Sequence, residues 1–168
     1  MPDPSKVFVI HGRDERSRKA MFAFLRAIGL KPLEWTQALA LTKQGAPYIG
    51  EILDAAFSEA QAVIALFTGD DEARLRETSL GGPQEALTPQ ARPNVIFEAG
   101  MAMGRCPDRT VFVEIGILRP FSDIAGRHVI RFDGRHQTRH ALAKRLRLVG
   151  CEVNTVGSDW HEAGEFEK

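Results

Sequence analysis

Glu98 is the one acidic residue in the run Asn94-Val95-Ile96-Phe97-Glu98-Ala99-Gly100-Met101-Ala102-Met103-Gly104. Wound as a helix, Val95, Ile96, Phe97, Ala99, Met101 and Met103 leave no polar face, and a helix apolar on all sides is a buried one. Burying a carboxylate without a partner is costly and raises its pKa. No Lys or Arg stands three or four residues away to pair with it on the same helix. Glu98 is therefore expected to line a cavity, where a strained carboxylate is a candidate catalytic group. The structural alternative is a cap on a neighbouring backbone, or an ion pair with a distant arginine.

Three other places carry residue types suited to ligand binding. His11-Gly12-Arg13 follows an apolar run. Gly12 lets the backbone approach a ligand closely, and Arg13 can fork onto a phosphate or a ring edge. A turn glycine beside a solvated arginine fits the same residues. Asp70-Asp71 closes another apolar run; neighbouring side chains on a strand point to opposite faces, so at most one can meet a given ligand. Both also serve as turn formers. Trp35 can stack on a heteroaromatic ring or simply cover a sheet.

Several chemistries are excluded by what is missing. There is no GxGxxG after the first apolar run and no GxxxxGK[ST], so neither a Rossmann grip nor a P-loop is supported. GxSxG, HExxH and a reactive cysteine context are absent too. Cys106 and Cys151 stand far apart without a CxxC spacing and read as free thiols of a reducing, cytoplasmic compartment. His136 and His140 are four apart, but no other strong ligand adjoins them in sequence. They read as surface helix residues, and no metal is expected.

The 168 residues suit one domain with a real core. Lys+Arg and Asp+Glu both number 22, so the net charge is zero. That argues against direct nucleic-acid binding through phosphate neutralisation. The polar Met1-Pro2-Asp3-Pro4-Ser5-Lys6 is no signal peptide, and no apolar run is long enough to span a membrane.

Elements able to position these residues alternate along the chain. Residues 6–10 form a short buried strand, and Asp14 caps a helix that stops at Gly29. Residues 30–35 read as a second strand near a sheet edge because of Pro32. Residues 36–46 read as a loop, and Pro47 as the first turn of a helix. Residues 62–67 are the clearest buried strand. Residues 72–93, with Gly81-Gly82-Pro83, form a long loop of the functional or disordered kind. The Glu98 helix follows with Asn94 as its expected N-cap. Strands at 109–115 and 128–132, a short helix at 121–125 and a last helix ending at Gly150 complete the order. The domain is read as 1–156, with a polar tail or linker at 157–168 that should fray. Alternation of this kind gives an α/β, flavodoxin-like, doubly wound five-stranded parallel sheet with helices on both faces. Ligands bind such folds outside the carboxyl ends of the strands, where the strand order switches.

Taken together, Lys6-Val7-Phe8-Val9-Ile10-His11-Gly12, Thr68-Gly69-Asp70-Asp71, Ala91-Arg92-Pro93-Asn94-Val95-Ile96-Phe97-Glu98-Ala99-Gly100 and Phe121-Ser122-Asp123-Ile124-Ala125-Gly126 resemble the bacterial TIR-like domain family. The branch is that of nucleotide-binding effectors beside STING or cyclic-nucleotide-sensing modules in anti-phage systems. Gly69 departs from the family's usual proline in Thr-Pro-Asp-Asp. The resemblance runs from Lys6 to about Asn154. It implies an NAD⁺ glycohydrolase with Glu98 as the catalytic glutamate, NAD⁺ as substrate, nicotinamide and ADP-ribose or a cyclic variant as products, and no separate cofactor. It implies contacts to NAD⁺ from Phe8, Ile10, His11, Gly12, Arg13, Trp35, Asp70, Asp71 and Asn94, with Phe97 and Val95 walling the pocket. It further implies TIR–TIR self-association involving the 36–46 loop, and a sensor outside this chain. Two alternatives are a non-catalytic TIR adaptor and a nucleotide-sensing interaction domain. An adaptor gains nothing from a buried charge at Glu98, which favours the enzyme.

Overall fold

The computed structural model describes residues 1–76 and 84–166. Its strands are built from the apolar runs. In chain order the elements are β1 (Asp3–Ile10), α1 (Glu15–Ala27), β2 (Lys31–Leu33), α2 (Trp35–Leu41), α3 (Ile49–Glu59) and β3 (Ala60–Phe67). They continue as β4 (Asp71–Ala73), β5 (Thr88–Gln90), α4 (Pro93–Arg105), β6 (Thr110–Glu114), β7 (Ile130–Arg131) and α5 (His136–Leu148). The main sheet runs β2-β1-β3-β6-β7, all parallel, in the doubly wound flavodoxin-like order.

Alternation along the central strands divides the core into two layers. Val7 and Val9 face α1 and α5, among Phe24, Leu25, Leu142 and Leu146. Phe8 and Ile10 face α3 and α4, among Leu53, Phe57, Val95 and Ala99. Burial on both faces explains why these strands read as continuous apolar runs. Asp14 caps α1 by accepting from the Ser17 backbone N–H at 2.9 Å, as expected.

Five local expectations are corrected. The second strand ends at Leu33, and Trp35 opens α2 rather than closing the strand. Gln37 accepts from the Glu34 backbone N–H at 2.8 Å, a helix-start signal that takes half of the supposed 36–46 loop into α2. Pro47 precedes α3 instead of lying in its first turn; the Tyr48 N–H donates to Glu51 at 2.8 Å and fixes the start there. Residues 72–93 are no simple loop, because β4 and β5 pair as an antiparallel ribbon. Gly81-Gly82-Pro83 lie outside the described residues. Asn94 is not the N-cap of α4: Arg92 is, with Pro93 in the first helical position that proline prefers.

Helix α4 is also not buried all round. Val95, Ala99 and Ala102 pack on the sheet, whereas Phe97 is 68% exposed and Gly100 and Gly104 face outward. An outer-layer helix meets the sheet on one side only, whatever its composition. The segment 157–166 does not fray. It forms a 3₁₀ turn at Asp159–His161 whose Trp160, 2% exposed, enters the α1/α5 layer. Buried Arg139 of α5 donates to the carbonyls of Gly134, Trp160, Ala163 and Gly164 and holds the segment down. Among the described residues no helix is long and apolar enough to cross a membrane.

Candidate active site

Strand order reverses between β1 and β3, and the loops leaving these strands meet there. The structure brings Gly12, Arg13 and Asp70 together. One Asp70 oxygen accepts from the Thr68 hydroxyl at 2.7 Å, and the other from the Arg13 backbone N–H at 2.6 Å. A Cβ on Gly12 would stand 1.9 Å from that second oxygen. Gly12 is thus required by close approach, as its sequence context suggested, and the group that approaches it here is the Asp70 carboxylate. His11 is half-buried; its Nδ1–H donates to the Gly12 carbonyl at 2.9 Å, and its ring stands edge-on to Phe22.

Other expected contact residues are engaged elsewhere. Phe8 and Ile10 are core residues, Phe8 packing edge-on against Phe57. Asp71 pairs with Arg92 at 3.2 Å, tying the ribbon to the start of α4. Gly69, the departure from the family turn, lies beneath the ribbon: a Cβ there would come 2.7 Å from the Cβ of Pro89. Trp35 and Asn94 are both exposed, on α2 and in the first turn of α4.

Glu98 is half-buried and has no hydrogen bond or ion pair among the described residues. Burial alone raises its carboxyl above the ordinary value. Along the same α4 stripe, Met101 lies beside Gly50 and Arg105 pairs with Asp54 at 3.3 Å. Carrying that register back one turn sets Glu98 level with the segment that enters α3. The unpaired carboxylate and the α2–α3 connection therefore share one shoulder of the molecule. Two spaces elsewhere are lined without Glu98. A groove of about 850 Å³ opens between β7 and α5, lined by Ile130, Arg131, Lys144 and Arg145. A smaller space of about 260 Å³ lies between Ile96, Met103 and Phe121. The expectation that Phe97 walls a pocket at Glu98 is corrected: Phe97 is turned outward, so that wall is missing.

The Gly12–Asp70 contact gives a direct test of local design. Gly12→Ala is expected to cost about 1–3 kcal/mol, because Asp70 must surrender at least one hydrogen bond to make room. In an Asp70→Ala background the same substitution should cost below about 0.5 kcal/mol. Chemical denaturation of the four proteins measures the coupling, and equal costs in both backgrounds would disprove it.

Over 150 residues, 89% of this chain and 47% of the relative, the sequence is 27% identical to the uncharacterized protein YuaY of Escherichia coli strain K12. The chain thus spans about half of that relative's length. The family model of the CAP12/Pycsar effector protein TIR domain matches residues 6–134, from the start of the β1 apolar run to the turn before α5. That span holds the sheet, the Asp70 clamp and Glu98, and the chain belongs to the CAP12/Pycsar effector TIR-domain family.

Proposed function

We propose that this TIR effector domain is an NAD⁺ glycohydrolase, and that Glu98 carries the reaction. The observation behind this reading is the unpaired, half-buried carboxylate whose burial raises its pKa. Cleavage of the nicotinamide–ribose bond leaves the electron pair on the departing ring nitrogen and positive charge on the ribose. A carboxylate beneath the sugar stabilises that oxocarbenium-like charge, more strongly where water is excluded. Nicotinamide leaves neutral, so no second acid is needed. Water then adds at the anomeric carbon and releases a proton, giving ADP-ribose.

The missing wall at Glu98 is supplied, in this reading, by a second copy. Trp35, Leu41, Tyr48 and Ile49 expose large apolar surfaces on α2, on the connection and at the start of α3. Exposed apolar surface of this kind suits self-association. The sensor that triggers clustering is placed on a separate domain or protein. The test is nicotinamide release from NAD⁺ by dilute protein and by protein fused to an oligomerising module. Clustering should raise turnover at least about tenfold. Full turnover by a strictly monomeric preparation would refute the assembly requirement. A thermal shift with NAD⁺ but no product at any concentration would replace the enzyme with a nucleotide-sensing or adaptor module.

A further inference from the structure

Folding gives His136 and His140 the third ligand that they lack in sequence. His161 arrives on the docked 3₁₀ turn, and one imidazole nitrogen from each of the three residues lies within 4.8 Å of the others. Ring centroids are 4.3 Å apart for His136 and His140 and 4.8 Å for His136 and His161. We propose that His136, His140 and His161 bind a divalent transition-metal ion of the zinc class, which staples the C-terminal segment to the start of α5.

Three features support a site rather than a chance cluster. The first is the spacing: residues four apart on a helix share a face, so His136 and His140 already form a two-ligand clamp. The second is the fixing of the third ligand. Its neighbour Trp160 is buried, and the indole N–H donates to the carbonyls of Thr155 and Gly157, each at 3.2 Å. Arg139 donates to the Trp160 carbonyl at 3.1 Å and also to that of Ala163, so the backbone is held on both sides of His161. Much of the ordering entropy is thereby met by folding, before any metal binds.

The third feature is the donor chemistry. Three imidazoles with no carboxylate suit zinc, copper or nickel, whereas calcium and magnesium require oxygen. Three protein ligands plus one water complete a tetrahedral shell around zinc. Zinc–nitrogen bonds near 2.05 Å put the ligand nitrogens about 3.3 Å apart, so the rings must draw together by side-chain rotation. The imidazoles must be neutral to bind. The positive end of α5 lies at His136, and its field weakens the hold on a cation, which makes the third ligand decisive.

The experiment uses tag-free protein stripped with chelator and titrated with zinc chloride by calorimetry, and with cobalt chloride followed by visible absorption. One ion per chain is expected, with the intense absorption of tetrahedral cobalt and a rise in Tm on adding zinc. His161→Ala should weaken binding at least about a hundredfold and remove the Tm response. Its far-UV circular dichroism should stay native; if it does not, His140→Ala takes its place in the same comparison. Absence of stoichiometric binding, or undiminished binding by His161→Ala, would overturn the three-histidine site. An octahedral cobalt spectrum would do the same.

Discussion

Glu98→Gln is expected to abolish nicotinamide release and, at neutral pH, to make the protein more stable. The loss of turnover should reach at least about a thousandfold, or about 4 kcal/mol of transition-state stabilisation, because the amide keeps the shape and loses the charge. The gain in stability follows from the same environment. Burial raises the Glu98 pKa in the folded protein, so the native state holds its proton to a higher pH than the unfolded chain does. Between the ordinary carboxylate value of 4.5 and the raised one, the native state binds more protons, and stability falls as pH rises. Above the raised value the penalty is fully present. Glutamine never carries it. The side chain is only half-buried and solvent screens the charge, so the expected rise in Tm near pH 8 is small, about 1–3 °C. It should vanish near pH 4, where both forms are neutral. Thermal melts at the two pH values, beside the turnover assay, check both halves. An active glutamine variant would remove Glu98 from the chemistry, and a variant less stable at pH 8 would assign the carboxylate a structural bond.

What the sequence made legible, and what it hid, follows from the range of the interactions involved. Residues 7–10 of β1 and 62–67 of β3 are plain because strand segments buried on both faces are apolar at every position. The same logic misled for α4. An apolar run signals burial, but a helix on the outside of a sheet has only one side to bury, so Phe97 ended up in solvent. The short helix α2 was missed because its start depends on one glutamine three residues past the cap, a weak pattern in a polar stretch. Asp70 and Gly12 were both singled out, as ligand contacts or turn formers. Their approach across 58 residues is a tertiary contact that spacing does not encode. His161 is the same kind of case: it lies 21 residues beyond His140 in sequence and beside it in space.

These misses bear on how the site works. The crevice that a doubly wound sheet offers at its switch point is occupied by the protein's own Asp70 carboxylate, which already takes the backbone donor that an anionic ligand would use. Under the proposed function, a nucleotide would meet this face with little preformed grip, and its ribose would have to reach Glu98 on the neighbouring shoulder. Supplying the missing wall by assembly would fit this arrangement. On that proposal, a site complete in the monomer would cleave NAD⁺ continuously, whereas one lacking a wall would stay silent until copies met.

Arg139→Leu is expected to produce the largest loss of stability in the molecule. The guanidinium is 3% exposed and pairs with no carboxylate among the described residues; it is held by four backbone carbonyls, of Gly134, Trp160, Ala163 and Gly164. It also lies over the rings of Phe24 and Phe166, at 5.5 and 5.2 Å from their centroids. Burial lowers its pKa from the ordinary value, but an arginine so placed remains charged at any working pH. Leucine fills much of the volume and removes the guanidinium donors from all four carbonyls, only that of Gly164 keeping another, the Phe166 N–H, at a cost of about 3 kcal/mol or more. For a chain of this length that corresponds to a fall in Tm of about 6–12 °C. Lysine, with a single ammonium in place of the planar fork, cannot span carbonyls from both sides of Trp160, and should recover less than half of the loss. The damage should begin locally. Residues 157–166 are expected to lose hydrogen-exchange protection before the sheet does, since Arg139 is what joins them to α5. A Tm within 2 °C of the parent for Arg139→Leu would show that the segment is held by Trp160 and Phe166 packing alone.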